Sequence, residues 1–260
     1  MLIDTHAHID FKDYENLNVI LHNAKEAGIK KIIIPGVEPT SFERIINLTQ
    51  TYTGIYAALG IHPSEARLWN SDVEQIIRTL ITDKKVVAIG EIGLDYYWDR
   101  TFIEQQKSVF IKQIELANEY QKPIIIHDRD AHKDTFDILN DYAKTNVIMH
   151  CFSGSVEFAK ECVKKGYFIS IGGVATFKNA KTIKNVIQEI NLENLLLDTD
   201  SPFLTPEPYR GKRNEPAFIK YVAEEIAKIK NISIETVSEV TTNNALKIFN
   251  LNRIGDNLDA

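Results

Sequence analysis

Six residues with metal-binding chemistry, His6, His8, Glu91, His127, His150 and Asp200, each follow a short apolar run. They are spread over roughly 200 residues. Such residues can meet in a parallel α/β fold, where the carboxyl ends of the strands converge on one face. Neutral imidazoles mixed with carboxylates suit divalent cations such as Zn, Mn, Mg or Ni. The expected chemistry is hydrolysis at a two-metal centre, with water made nucleophilic near neutral pH.

Thr5-His6-Ala7-His8 places two imidazoles at i and i+2, so both project from one face of an extended chain and can share one ion. Taken alone, an H-x-H pair more often marks surface or core histidines than ligands. Asp4 lies on the same face, where it would accept a hydrogen bond from a ligand imidazole or enter a buried salt link. In Gly90-Glu91-Ile92-Gly93 the glycines permit a tight strand-to-loop turn, and a two-oxygen carboxylate at Glu91 can bridge two cations. His127 and His150 repeat the pattern, each the first polar residue beyond an apolar strand. In Asp198-Thr199-Asp200-Ser201-Pro202 the two aspartates share a face. Asp200 is the outer one and is expected to bind metal and accept a proton from the attacking water, with Asp198 supporting from below.

Substrate contacts are expected from four further residues. His62 follows the third apolar run and either touches substrate or packs as a loop histidine. Arg210 and Lys212 belong to the basic cluster Pro208–Asn214, close after Asp200, and could clamp phosphate oxygens. Tyr96, with its neighbours Tyr97 and Trp98, could stack on a base or pack beneath the loop. His22 and His132 read as helix-surface residues. Cys151 and Cys162 form no C-x-x-C pair and read as small buried residues. If Cys151 continues a strand with His150, its side chain faces away from the site.

Eight apolar runs have the length of buried strands: Leu2-Ile3, Lys31–Ile34, Ile55–Leu59, Val86–Ile89, Pro123–Ile126, Val147–Met149, Tyr167–Ile171 and Leu195–Leu197. Amphipathic segments separate most of them, such as Leu17, Ile20, Leu21, Ala24 with Gly28 at the C-terminal cap. A helix opening near Pro216 and another over Ser233–Phe249 follow the last run. An open doubly wound sheet also alternates strand and helix. Ligands from runs one, four, five, six and eight favour a closed (β/α)₈ barrel, since a ring brings its first and last strands near the middle ones. The 260 residues, 44% hydrophobic and 25% charged, fit one such domain over residues 1–260.

The net charge of −6 argues against gripping duplex DNA along its length. A phosphate would be attracted locally, because two divalent ions beside Glu91 and Asp200 leave a surplus of about +2. The apolar runs are far shorter than the roughly 20 residues of a membrane span. The start, Met1-Leu2-Ile3-Asp4, has no basic stretch leading into an apolar one, so a cytoplasmic protein is expected. No obligate protein partner is evident.

The blocks Asp4-Thr5-His6-Ala7-His8, Gly90–Tyr97, His127-Asp128-Arg129, His150–Gly154, Thr199–Pro202 and Arg210-Gly211-Lys212 resemble, in order, the signature blocks of TatD-type metal-dependent deoxyribonucleases. The resemblance spans nearly the whole chain. It implies a distorted TIM barrel, two divalent ions, exonuclease action from a 3′ end on DNA strands or ends, with RNA as a further substrate, and a cytoplasmic location. It also implies that His6, His8, Glu91 and Asp200 surround one metal and Glu91, His127 and His150 the other. Asp198 stands where the family usually has Glu. The rival reading is an amide or lactone hydrolase on the same barrel; such relatives often bridge their metals with a modified lysine, and no lysine adjoins Glu91. A scaffold that has lost catalysis would be expected to erode its ligands, and all six are present.

Overall fold

The computed structural model describes residues 1–11, 14, 16–251 and 258. All eight apolar runs are strands: β1 Leu2–Asp4, β2 Ile29–Pro35, β3 Ile55–Ala58, β4 Val86–Asp95, β5 Ile124–Arg129, β6 Val147–Met149, β7 Phe168–Ile171 and β8 Leu195–Leu197. They pair in chain order and in parallel from β1 to β8. The helices α1 Leu17–Glu26, α2 Phe42–Thr51, α3 Ser71–Leu80, α4 Ile103–Tyr120, α5 His132–Tyr142, α6 Val156–Lys164 and α7 Lys181–Glu189 return the chain between them. Two more, α8 Ile219–Lys230 and α9 Ile234–Ile248, follow β8. Among the described residues no helix is long and apolar enough to cross a membrane.

The strands read as continuous apolar runs because both of their faces are covered. Ile3, Ile33, Tyr56, Ile125, Ile148 and Leu196 point into the ring, where Ala245 and Ile248 of α9 and the following Phe249 close its floor. Ile32, Ile34, Ile124, Ile126, Val147 and Leu197 point outward against helix residues such as Ile20, Phe110, Ile114 and Ile226. Each fully buried side chain of this size contributes about 1.5–3 kcal/mol. The helix signals fall where they were expected: Gly28 has φ +85 just past α1, Pro216 opens a short 3-10 turn before α8, and Ser233 caps α9 through Thr236 N–H.

The ring is a distorted barrel. Its last seam lies above the strand ends, where Thr5 N–H donates to Leu197 O (3.0 Å), Asp200 N–H to His6 O (3.0 Å) and His8 N–H to Ser201 O (2.8 Å).

β4 and β5 run past their apolar segments, so Glu91 and His127 sit within strands, not in the loops beyond them. Ile89 pairs with Ile124 but Ile92 with Ile126, so β4 carries one extra residue, a bulge that turns Glu91 toward the axis. The flanking glycines therefore serve close approach, not a turn out of the strand. Gly93, at φ +143, would set a Cβ only 2.0 Å from His127 O, so no side chain fits there.

Candidate metal centre

The inward pleat of β5, β6 and β8 and the bulge of β4 aim their polar ends at one cup, which the segment after β1 completes. His6 Nε2 and His8 Nε2 lie 3.2 Å apart. Glu91 Oε2 is 3.2 Å from His6 Nε2 and 3.7 Å from His8 Nε2. Asp200 Oδ1 lies 3.8 Å from His6 Nε2, 3.6 Å from His8 Nε2 and 3.6 Å from His150 Nε2. The other oxygen of Glu91, Oε1, faces His127 Nδ1 at 2.7 Å, His62 Nε2 at 3.8 Å and His150 Nε2 at 3.9 Å. All six expected residues are thus brought together, with Glu91 between two sets of imidazoles. Glu91 is only 3% exposed.

This donor set fits cations. Four ligands at about 2.0–2.1 Å around a tetrahedral centre stand roughly 3.3–3.4 Å apart, close to the 3.2–3.8 Å found around His6 and His8. His6, His8 and Asp200, His6, Glu91 and His150, and His62, Glu91 and His127 each offer donor atoms within 4.8 Å of one another. Among the described residues, buried His6 Nδ1 and His8 Nδ1 have no hydrogen-bond partner, and it is each Nε2 that faces the other donors of the cup. Among the described residues no Lys or Arg pairs with Glu91 or Asp200, leaving the carboxylates to the imidazoles.

Supporting contacts set the histidines' proton states. His150 Nδ1–H donates to Asp198 Oδ2 (3.0 Å), which fixes the ring with Nε2 toward the cup. Burial opposes a charge on His150, but Asp198 and Asp200 hold its pKa well above the usual value. Burial likewise opposes ionisation of Glu91, yet His6 and His127 keep its carboxyl well below the usual range. Asp200 is lowered too, against its burial, by His150 and His8. Both carboxyls are therefore ionised.

Several expectations are corrected. Asp4 holds backbone, not an imidazole: it accepts from His6 N–H (3.3 Å), Thr199 N–H (3.0 Å) and Thr199 Oγ1–H (2.6 Å), tying the β1 end to the β8 end. Cys151 has φ +40, so strand alternation fails there and its thiol also lies by His150 and Asp200. Asp200 has φ +52. A left-handed conformation at a non-glycine residue costs roughly 1–3 kcal/mol and gathers at functional sites. Tyr96 is buried, its hydroxyl donating to Asp134 (2.8 Å), so base stacking does not fall to it. Tyr97 and Trp98 are exposed.

Arg210 lies over the Phe177 ring (4.2 Å) and Lys212 near the Tyr209 ring (5.3 Å), both exposed on the loop after Asp200 and outside the cup. His22 is exposed, and His132 pairs with Asp128 at 2.7 Å on the surface of α5. Asp95 was not anticipated: it accepts from His127 Nε2–H at 3.0 Å. The available signal was its position, a carboxylate four residues beyond Glu91 in the same Gly-flanked block.

A family profile described as TatD related DNase matches residues 3–250. An uncharacterized metal-dependent hydrolase of Bacillus subtilis, YabD, is 46% identical over 255 residues, covering 97% of this chain and 100% of that protein. Among solved structures, the TatD homologue YjjV of Escherichia coli superposes with a TM-score of 0.91 at 34% identity, covering 96% of this chain and 98% of that one. A PTE-like lactonase variant from Deinococcus radiodurans shares the fold alone, with a TM-score of 0.64 at 15% identity over 95% of each chain.

Proposed function

This chain belongs to the TatD-related DNase family and is a metal-dependent hydrolase, and from that premise we propose that it cleaves phosphodiester bonds of DNA, acting as a 3′ exonuclease on single strands or ends. His6, His8, Glu91 and Asp200 would hold one divalent cation, and Glu91, His127 and His150 a second. Bound there, the cations would supply Lewis acidity and lower the pKa of water toward neutrality. The observation that carries this reading is the division of Glu91, with Oε2 toward His6 and His8 and Oε1 toward His127 and His150.

Asp200 is the carboxylate for proton transfer. Its side chain is 17% exposed where Glu91's is 4%, so it meets incoming water, and being ionised it can accept a proton. His62 serves the substrate. Its Nδ1 accepts from Ser64 N–H at 3.1 Å, which leaves the proton on Nε2. Burial and nearby His127 push His62 down to about 3, so it stays a neutral donor for a phosphate oxygen. Arg210 and Lys212 would meet the strand farther out. A cytoplasmic enzyme with access to nucleic-acid ends fits this role.

The lactone or amide hydrolase reading rests on shared fold alone. The decisive experiment strips the protein with chelator, restores single metals and assays a 3′-labelled single-stranded oligonucleotide beside lactone and dipeptide panels. Metal-dependent nucleotide release is expected; cleavage confined to lactones or dipeptides overturns the proposal.

A further inference from the structure

Beside the cup lies a recess of about 90 Å³ whose lining includes Ser64, Arg67, Asp95, Trp98 and Phe102. Its volume corresponds to several water-sized positions, on the scale of one heterocyclic ring. It shares its wall with the centre. Asp95 binds His127 Nε2–H through Oδ2, and Ser64 Oγ lies 2.8 Å from His62 Nδ1. Asp95 Oδ1 also accepts Tyr97 N–H (2.9 Å) and Trp98 N–H (3.2 Å), so one carboxylate fixes both the His127 ring and the aromatic lip of the recess.

The lip is aromatic and open to solvent. Trp98 is 71% exposed and Tyr97 55%, their rings 5.0 Å apart and nearly perpendicular. Opposite, the Arg67 guanidinium lies 4.0 Å over the Phe102 ring. Arg129 comes two residues after His127 on β5, and its guanidinium rests 3.9 Å from the Tyr97 ring centre and 5.4 Å from that of Trp98. Among the described residues no carboxylate is found paired with it, so its charge is available to an anion. Aromatic faces accept any base by stacking, and a stacked guanidinium at the edge can meet a phosphate.

We infer that this recess, under Trp98 and with the Tyr97 and Arg129 pair at its lip, seats one unstacked nucleobase of the strand whose phosphodiester lies over the cup. The inference rests on the phosphodiesterase reading and narrows its substrate to strands with a free, splayed end. Duplex interiors are excluded, because their bases are committed to stacking and pairing.

The test uses the metal-restored full chain and two single-stranded oligonucleotides, identical except that one has a tetrahydrofuran abasic unit at its 3′-terminal position. The wild type is expected to prefer the intact end by roughly 10-fold in kcat/KM, the scale of one base-aromatic stack. In Trp98→Ala the ratio should fall toward one, and in Trp98→Phe most of it should return. Trp98 is an exposed side chain, so neither change threatens folding. Equal cleavage of both oligonucleotides by the wild type, or a preference that survives in Trp98→Ala, overturns the seat and leaves the phosphodiesterase reading standing. Cleavage of neither by the wild type overturns both.

Discussion

On the β1/β8 side of the cup, His6 and His8 have buried Nδ1 atoms without hydrogen-bond partners among the described residues, and burial together with His150 pushes His6 down to about 4. On the β4/β5 side, His127 lies between Asp95 and Glu91; burial opposes its charge, but the two carboxylates raise it to about 9. The first half keeps a neutral His6 ready to donate a lone pair. The second is an internal ion pair, and a cation arriving there must displace a proton. One cup can therefore hold two ions of unequal affinity without different residue types.

Glu91→Gln strikes both halves, since each oxygen serves one of them. Phosphodiester cleavage should fall by roughly 10³-fold, the upper range for losing one charge-stabilising group, while thermal unfolding stays cooperative; near-normal turnover would remove Glu91 from its shared position. Asp95→Asn and Asp198→Asn separate the supports of His127 and His150. Each should weaken metal binding by about 10–100-fold, with titration calorimetry of Asp95→Asn showing loss of the weaker ion alone. If Asp95→Asn weakens both ions equally, the two halves are one unit.

The proton states predict a pH asymmetry. His127 stays protonated up to about pH 9, and His150, also held well above its usual value, carries a second proton that the same ion must displace, so affinity on that side should rise by up to about a hundredfold per pH unit from pH 6 to 8. His6 is neutral above about pH 5 and adds no such slope. Titration in buffers of different ionisation enthalpy counts the protons released, and no release at pH 7 would contradict the raised His127. Linkage has the same origin in the metal-free protein. A raised folded pKa stabilises below the usual 6.5 and is lost as pH rises through about 9, so the melting temperature should drop across that window. The smallest effect is expected for Arg210→Ala, whose guanidinium already lies on Phe177 at the surface: a KM increase of about 2- to 5-fold.

The strands were legible because burial on both faces makes Ile32–Ile34 of β2, Ile124–Ile126 of β5 and Leu195–Leu197 of β8 uninterrupted apolar runs, and the ligands because the end of each run then marks where polar residues meet. Register was not legible. The extra residue in β4, which aims Glu91 inward, is a property of pairing with β5 and leaves only glycines as a trace. Cys151 was misread because alternation assumes extended backbone, whereas β6 ends at Met149 and Cys151 turns to φ +40. Tyr96, Tyr97 and Trp98 look alike in sequence; the hydroxyl of Asp134's partner Tyr96 and the carboxylate of Asp95 decide which ring is buried. Asp95 itself was hidden because its value lies in a contact with another strand.

The seam that joins Thr5 to Leu197 and His8 to Ser201 gives the protein a timetable as well as a shape. During translation His6 and His8 are made before the other ligands but must wait for a segment made nearly 200 residues later, roughly 10–40 s at usual ribosome speeds. A half-made chain has no finished cleft, and hydrolytic power arrives only when the two ends of the ring are tied.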